Sequence, residues 1–371
     1  MLIGVPKEIK NHEYRVGLTP AGVRELTSAG HSVLIERDAG TAIGLADDAY
    51  QQAGAEIVNN ASDIFQRAQL IVKVKEPLAS ERKQLRPEQI LFTYLHLAPD
   101  FEQTHDLVNS GAACIAYETV TETGGGLPLL APMSEVAGRM SIQAGANALE
   151  KTQGGMGILL GGVPGVVPAD VIVLGGGVVG INAARMAMGL GADVTVLDKS
   201  LARLKKLDEQ FGPQLKTLFA TSEAVEQVIQ SADIVVGAIL LPGAKATKLI
   251  TKTMLSTMKK GAVLVDVSID QGGCFESSRP TTHDDPIFEE QGVIHYCVAN
   301  MPGAVARTST FALTNATLPF VLALAQKGLK QALLDDKHLL AGLNVYQGKV
   351  TYQAVAEAHG FDYINPESLL N

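Results

Sequence analysis

The stretch that decides the fold is "VIVLGGGVVG", Val171–Gly180. An aliphatic, β-branched run feeds straight into glycines, and "INAARMAMGLG" behind it has helical spacing. Gly175, Gly177 and Gly180 stand as G-x-G-x-x-G. Between a strand and a helix, the first glycine permits the tight turn. The second lets the backbone approach a pyrophosphate, and the third lets helix and strand pack closely. The first N–H groups of the helix, with the positive end of its dipole, then face the phosphates. The next strand, "DVTVLD", ends in Asp198, eighteen residues past Gly180. A carboxylate there meets the ribose hydroxyls and repels a 2′-phosphate, which favours NAD over NADP. Arg203 lies nearby and argues the other way, but Asp198 holds the strand end and decides.

Working outward, "VIVLG", "DVTVLD", "KTLFA", "DIVVGA", "AVLVDV" and "VIHYCV" read as six strands, enough for two mononucleotide-binding halves. Some 170 residues come first, and they also alternate. "LIGV", "HSVLIE", "LIVKVK", "ILFTYLH" and "ACIAYETV" read as strands with helical stretches between most of them. One such helix, "TPAGVRELTSAG", has Thr19 as its N-cap, Pro20 at its first position and Gly30 at its end. This alternation implies a second doubly wound parallel sheet. "ETGGGLPLLAPMSE" breaks the pattern and marks a boundary. "MSEVAGRMSIQAGANALEK" follows as a helix rich in small residues, suited to close packing between domains. After "VANMPGAVARTST" comes a long apolar helix, "FALTNATLPFVLALAQKG". The remaining tail is too short to fold alone and is expected to pack back on the first unit. The expected architecture is α/β, with two doubly wound parallel-sheet domains. A Rossmann NAD-binding domain, residues 129–305, is inserted into a split substrate domain, residues 1–128 and 306–371.

The totals exclude several classes. The chain has 371 residues, a net charge of −9 and 46% hydrophobic residues, with a pI near 5.4 and mean hydropathy +0.16. An acidic chain without a long basic block is a poor nucleic-acid binder. Cys114, Cys274 and Cys297 are few and widely spaced, which fits buried thiols in a reducing compartment and supplies neither a disulfide framework nor a zinc spacing. From Met156 to Ala184 the only charge is Asp170, but Pro164, Pro168 and several glycines interrupt any spanning helix. The N-terminus lacks a basic-then-apolar signal pattern. The expectation is a cytoplasmic protein with no membrane partner.

Ligands of doubly wound sheets lie beyond the C-terminal ends of the strands. That rule selects Arg15 after the first strand, Lys75 at the end of "LIVKVK", and His96 at the end of "ILFTYLH". It also selects Asp270 after "AVLVDV" and Asn300 after "VIHYCV". Lys73 shares a face with Lys75 by the two-residue period. Cations that bind a carboxylate, a group that titrates near neutrality and a cleft closed to water are what hydride transfer on a small acid requires. Taken singly, each of these residues also fits a surface or turn role; it is their convergence on one cleft that is expected to matter.

With these residues assembled, the chain resembles the bacterial alanine dehydrogenases over essentially its full length. The resemblance rests on "GVPKEIKNHEYRVGLTP", "VKVKEP", "TYLHLA", "PMSEVAGR", "VLGGGVVG", "GAKATKL", "VDVSIDQGGCFE", "RPTTHDDP" and "VANMPGAVARTST". It implies reversible oxidative deamination of L-alanine to pyruvate and ammonia with NAD, in a homohexamer. It implies that Arg15 and Lys75 hold the substrate carboxylate and the pyruvate oxygen, that His96 is the acid/base, and that Asp270 is a second catalytic group. For NAD it implies Ser134, Gly175, Gly177, Val178, Val179, Gly180, Asp198, Arg203, Ile239 and Leu240. Val267, Ser268, Ile269, Asp270, Arg279, Val298, Ala299, Asn300 and Met301 complete that set. Some members are associated with a metal near the motif containing Glu118. Here Lys327 stands on the helix where a second ligand would sit, so no metal ligand is assigned. Two other readings remain at this stage: the NAD-binding subunit of a proton-translocating transhydrogenase, and a non-catalytic NAD-responsive binding protein.

Overall fold

The structure, a computed structural model, describes residues 1–239 and 247–370. The chain divides into two compact units, Met1–Met133 with Val305–Asn371, and Ser134–Ala304.

In chain order the first unit contributes β1 (Leu2–Val5), β2 (Ser32–Glu36), β3 (Glu56–Val58), β4 (Leu70–Val72), β5 (Ile90–Thr93) and β6 (Ala113–Ala116). The second unit follows with β7 (Asp170–Leu174), β8 (Asp193–Asp198), β9 (Lys216–Phe219), β10 (Ile234–Gly237), β11 (Val263–Asp266), β12 (Ile287–Glu290) and β13 (Val293–Tyr296). The chain then returns to the first unit with β14 (Leu343–Tyr346) and β15 (Lys349–Val350). The first sheet has the order β15-β14-β6-β5-β4-β1-β2-β3 and the second β12-β13-β11-β10-β7-β8-β9. Read from β9 to β13, the second sheet has the 3-2-1-4-5-6 order of a dinucleotide-binding fold.

The hydrophobic pattern explains why both faces of the second sheet are covered. Val171 and Val173, with Val235's neighbours Ile234 and Val236, pack into one core cluster. Ile172, Leu174 and Val235 pack into another. Strands buried on both sides read as continuous apolar runs, which is how β7, β10 and β11 appear in the sequence.

Both sheets are mostly parallel, as expected, and each also carries antiparallel strands toward one edge. β12 runs antiparallel to β13, β15 to β14, and β14 to β6. The two hairpins share one cause. Gln291-Gly292 joins β12 to β13 and Gln347-Gly348 joins β14 to β15, and all four residues have positive φ, at 54°, 82°, 51° and 72°. Two successive left-handed residues make the turn whose twist matches antiparallel strands.

The long apolar helix spans Ala306–Asp335, with Pro319 inside it and Gly328 at φ 73° breaking its regularity. Met301–Asp335 is long and apolar enough to cross a membrane by length and composition alone. However, Ser309, Thr310, Thr314 and Thr317 are buried, and Thr314 turns its hydroxyl onto the Thr310 carbonyl at 2.8 Å. This is the pattern of a helix packed in protein.

Candidate functional site

Three of the residues selected from sequence lie just beyond neighbouring strands of the first sheet. Arg15 follows β1, Lys75 follows β4 and His96 follows β5, and β5, β4 and β1 are adjacent.

Lys75 sits in a segment held from beneath. The Glu8 carboxylate accepts the N–H groups of Val74 at 2.7 Å and Lys75 at 3.2 Å. Its other oxygen meets the Lys73 ammonium at 3.1 Å, and that ammonium also binds Glu81 at 2.8 Å. Glu81 reaches back to the Leu78 N–H at 2.8 Å. Lys73 is fully buried. Burial works against its charge, but Glu8 and Glu81 outweigh burial and hold its pKa above the ordinary lysine value. Lys73 is therefore a structural cation, although the two-residue period puts it with Lys75. The Lys75 ammonium donates no hydrogen bond among the described residues, which leaves it for a ligand oxygen.

Arg15 is 2% exposed. Its Nε and Nη2 bind the two oxygens of Glu13 at 2.7 and 2.5 Å, and Nη1 lies 3.1 Å from the Met133 sulfur. Burial opposes its charge, yet the Glu13 contacts raise its pKa further. Arg15 thus faces the Glu13 carboxylate, while the charge of Lys75 acts, against burial, on the adjacent Glu76 and helps hold its pKa below the ordinary carboxylate value. A thioether is a weak acceptor, so the contact with Met133 is weaker than the two with Glu13.

His96 has a left-handed backbone, φ 50°, a conformation uncommon outside glycine, although histidine adopts it more readily than most residues. Glu118 holds it there. One carboxylate takes the Leu95 N–H at 3.2 Å and the His96 N–H at 2.6 Å, and its Oε1 lies 3.8 Å from His96 Nδ1. The imidazole stacks on Tyr94, with ring centroids 5.8 Å apart and planes 4° from parallel. Tyr94 is anchored through its hydroxyl to the Leu129 carbonyl at 2.5 Å. Nearly half of the His96 side chain stays exposed.

The dinucleotide turn lies in the second unit. A Cβ on Gly180 would come within 1.8 Å of the Gly175 carbonyl oxygen, so only glycine permits this approach of helix to strand. A Cβ on Gly177 would meet nothing within 4 Å. That open space lies over the start of the helix Val178–Gly189, whose N-cap Gly177 offers no side-chain partner to its first N–H groups. A pyrophosphate fits this cradle. Asp198 at the end of β8 takes the N–H groups of Gly176 at 2.7 Å and Ser200 at 2.8 Å, which orients its carboxylate toward the turn. The Arg203 guanidinium lies against the carbonyls of Gly176 and Gly177.

The other residues selected for the nucleotide distribute as follows. Ile239 follows β10, and its carbonyl accepts the Ser268 hydroxyl at 2.6 Å. Val267, Ser268, Ile269 and Asp270 follow β11, while Val298, Ala299, Asn300 and Met301 follow β13. These all lie beyond C-terminal strand ends of one sheet. Asn300 is left-handed, φ 75°. Ser134 instead lies in the first turn of the helix Ala131–Ala148. The Arg279 guanidinium lies 4.0 Å over the Phe288 ring of β12. Leu240 falls outside the described residues. Glu8, Glu13 and Glu81 were missed by the sequence reading, and Glu118 was named there only for a metal-associated motif, not as the partner of His96. Each is an acid within three residues of no candidate except Glu13, two residues from Arg15, which is the only local signal.

Two family profiles match: "Alanine dehydrogenase/PNT, N-terminal domain" over residues 4–137 and "Alanine dehydrogenase/PNT, C-terminal domain" over residues 141–353. An alanine dehydrogenase of Halomonas elongata is 61% identical over 100% of both chains. One of Bacillus subtilis is 54% identical over 100% of this chain and 98% of its own. A solved L-alanine dehydrogenase superposes with a TM-score of 0.94 at 50% identity, covering 97% of this chain and 99% of that one. A transhydrogenase from Sinorhizobium meliloti superposes less well, with a TM-score of 0.81 at 25% identity, covering 95% and 100%.

Proposed function

The chain belongs to the alanine dehydrogenase/PNT family, and from that premise we propose that it catalyses the reversible, NAD-dependent oxidative deamination of L-alanine to pyruvate and ammonia. The observation that carries this reading is the 61% identity to an alanine dehydrogenase over the full length of both chains.

The reaction assigns work to the residues described. When bound, NAD accepts the hydride that leaves Cα of alanine. The glycine turn and the helix behind it would hold the pyrophosphate, and Asp198 the adenosine ribose. Lys75 supplies positive charge for the substrate, on its carboxylate and on the oxygen that becomes the pyruvate carbonyl. Arg15, with its guanidinium oriented by Glu13, adds a second cation toward the carboxylate. Loss of hydride and a proton turns the amine into an imine. Water adds at Cα, and the carbinolamine then expels ammonia. His96 accepts the proton that water gives up and returns one to the departing amine, with Glu118 facing Nδ1 of the imidazolium. Asp270 positions the water or the amine. The products balance as pyruvate, ammonium, NADH and one proton.

The protein is further inferred to work in the cytoplasm as a homohexamer. An interface between copies is supported by the exposed apolar run Leu159, Val163, Val166 and Val167, the last 82% exposed; the number six rests on the resemblance. The decisive assay is NADH formation at 340 nm across a panel of L-amino acids. Turnover with L-alanine above all others is expected, and no alanine-dependent signal from NAD-saturated protein would refute the reading.

A further inference from the structure

The segment that leaves β11 carries Asp270 in the short 3-10 turn Ile269–Gln271. Two consecutive left-handed glycines end that turn, Gly272 at φ 87° and Gly273 at φ 74°. The carbonyls of Gly272, Gly273 and Phe275 converge on one atom, the Lys248 ammonium, at 2.6, 2.8 and 3.0 Å. An ammonium has three donors, so this loop alone saturates Lys248.

The same loop is held from its other side by a buried anion. The Asp266 carboxylate, 0% exposed, accepts the N–H groups of Ser268, Cys274 and Phe275 at 3.1, 2.9 and 3.3 Å. It also accepts the Ser278 hydroxyl at 2.5 Å. The donors of the loop thus go to an anion and three of its acceptors to a cation. The neighbours of Lys248 fix its approach. Leu249 donates its N–H to the Cys274 carbonyl at 2.7 Å, and Ile250 accepts the Glu276 N–H at 2.8 Å. The Asp270 carboxylate itself accepts no hydrogen bond among the described residues, so the backbone of its loop determines where it points.

We propose that Lys248 is a positioning residue: by gathering the three carbonyls beyond Asp270 it holds that carboxylate in register for the reaction. This rests on the role given to Asp270 under the proposed function. Lys248 lies at the surface, and its removal leaves β11 and the Asp266 contacts in place. Methionine keeps the length and loses every donor. Arginine keeps the charge, but its planar fork does not match three carbonyls converging on a point.

The test compares Lys248→Met, Lys248→Arg, Asp270→Asn and Lys248→Met/Asp270→Asn in the full-length enzyme. Alanine oxidation gives kcat and KM, NADH fluorescence titration gives cofactor affinity, and hydrogen exchange follows peptides that span residues 268–278. Displacement of a catalytic group by about an ångström costs up to about 10²-fold. Lys248→Met is therefore expected to lower kcat about tenfold or more, with alanine KM and NADH affinity within about twofold, and Lys248→Arg to recover part of the loss. Exchange across 268–278 should quicken in Lys248→Met and not in Asp270→Asn. In the Asp270→Asn background the lysine substitution should cost no further kcat. An equal loss in both backgrounds, or unchanged exchange, overturns the proposal. A normal kcat in Asp270→Asn alone refutes the role of Asp270 instead, and the exchange data then decide separately whether Lys248 holds the loop.

Discussion

Lys73→Met offers a quantitative test of the network beneath Lys75. The native trio has one cation between two carboxylates, with side chains 0%, 3% and 4% exposed for Lys73, Glu8 and Glu81. Methionine fills the volume and removes the charge. Glu8 Oε2 and Glu81 Oε1 then lose their common partner and repel each other inside protein. Breaking a buried ion pair from one side costs about 3–5 kcal/mol. For a unit of roughly 150–250 residues, each kcal/mol shifts Tm by about 2–4 °C, so the variant should melt about 6–20 °C lower. The loss should depend on pH with a definite sign. Burial, opposed by Lys73 and the Val74 N–H, already holds the Glu8 pKa above its ordinary value, and removing Lys73 raises it further. A carboxyl whose folded pKa is raised contributes most below its unfolded pKa and loses that contribution as pH rises through the folded value. The deficit should therefore be larger at pH 8 than at pH 5. Scanning calorimetry at both values measures this, with Lys73→Met/Glu8→Gln/Glu81→Gln expected to recover much of the loss. A Lys73→Met enzyme that melts within about 1 °C of the parent at pH 8 would refute the electrostatic account.

Three other outcomes follow from the geometry. Asp198→Ala should narrow the preference for NAD over NADP by weakening the first and relieving repulsion of the second; an unchanged ratio of kcat/KM values removes Asp198 from the ribose. His96→Ala should lower alanine turnover about 10²-fold or more while NADH still binds, and near-normal turnover would exclude it as the acid/base. Burial pushes the Cys114 and Cys297 thiols up to about 12 from an ordinary 9.0, so Ellman's reagent at pH 8 should label neither before unfolding. Their contribution to stability is complete below pH 9 and is lost as pH rises toward about 12, so Tm should fall across that window, less steeply in Cys114→Ala.

The nucleotide half was readable because its signals are local. β7, its glycines and Asp198 lie within 28 residues, and each of the six expected strands has a counterpart. The misses have physical reasons. β12 reads "IFEE" after a proline, too charged to look like a strand, and its partner is specified by Gln291-Gly292 rather than the usual Asn-Gly. β3 is three residues long. Within the candidate site, Lys75 and His96 were legible from their strand ends. Glu8 and Glu118 were not, because they meet those segments across 66 and 22 residues. Lys73 shows the limit of the two-residue period, which gives the side of a strand but not whether that side ends in solvent or between two acids.

The antiparallel pairing of β14 with β6 has a consequence for synthesis. The other neighbour of β6, β5, is synthesised just before it, yet the strand that closes its open edge begins at Leu343. At roughly 5–20 residues per second, the some 230 residues between them take about 10–45 s to emerge. The whole second unit, Ser134–Ala304, is translated during that interval and can fold ahead of the unit that started first. Until the tail arrives, β6 presents unpaired N–H and C=O groups, a template for pairing with another nascent chain. Until then this edge, like the β3 edge at the far end of the sheet, stands open to a chaperone or to a neighbouring copy on the same polysome.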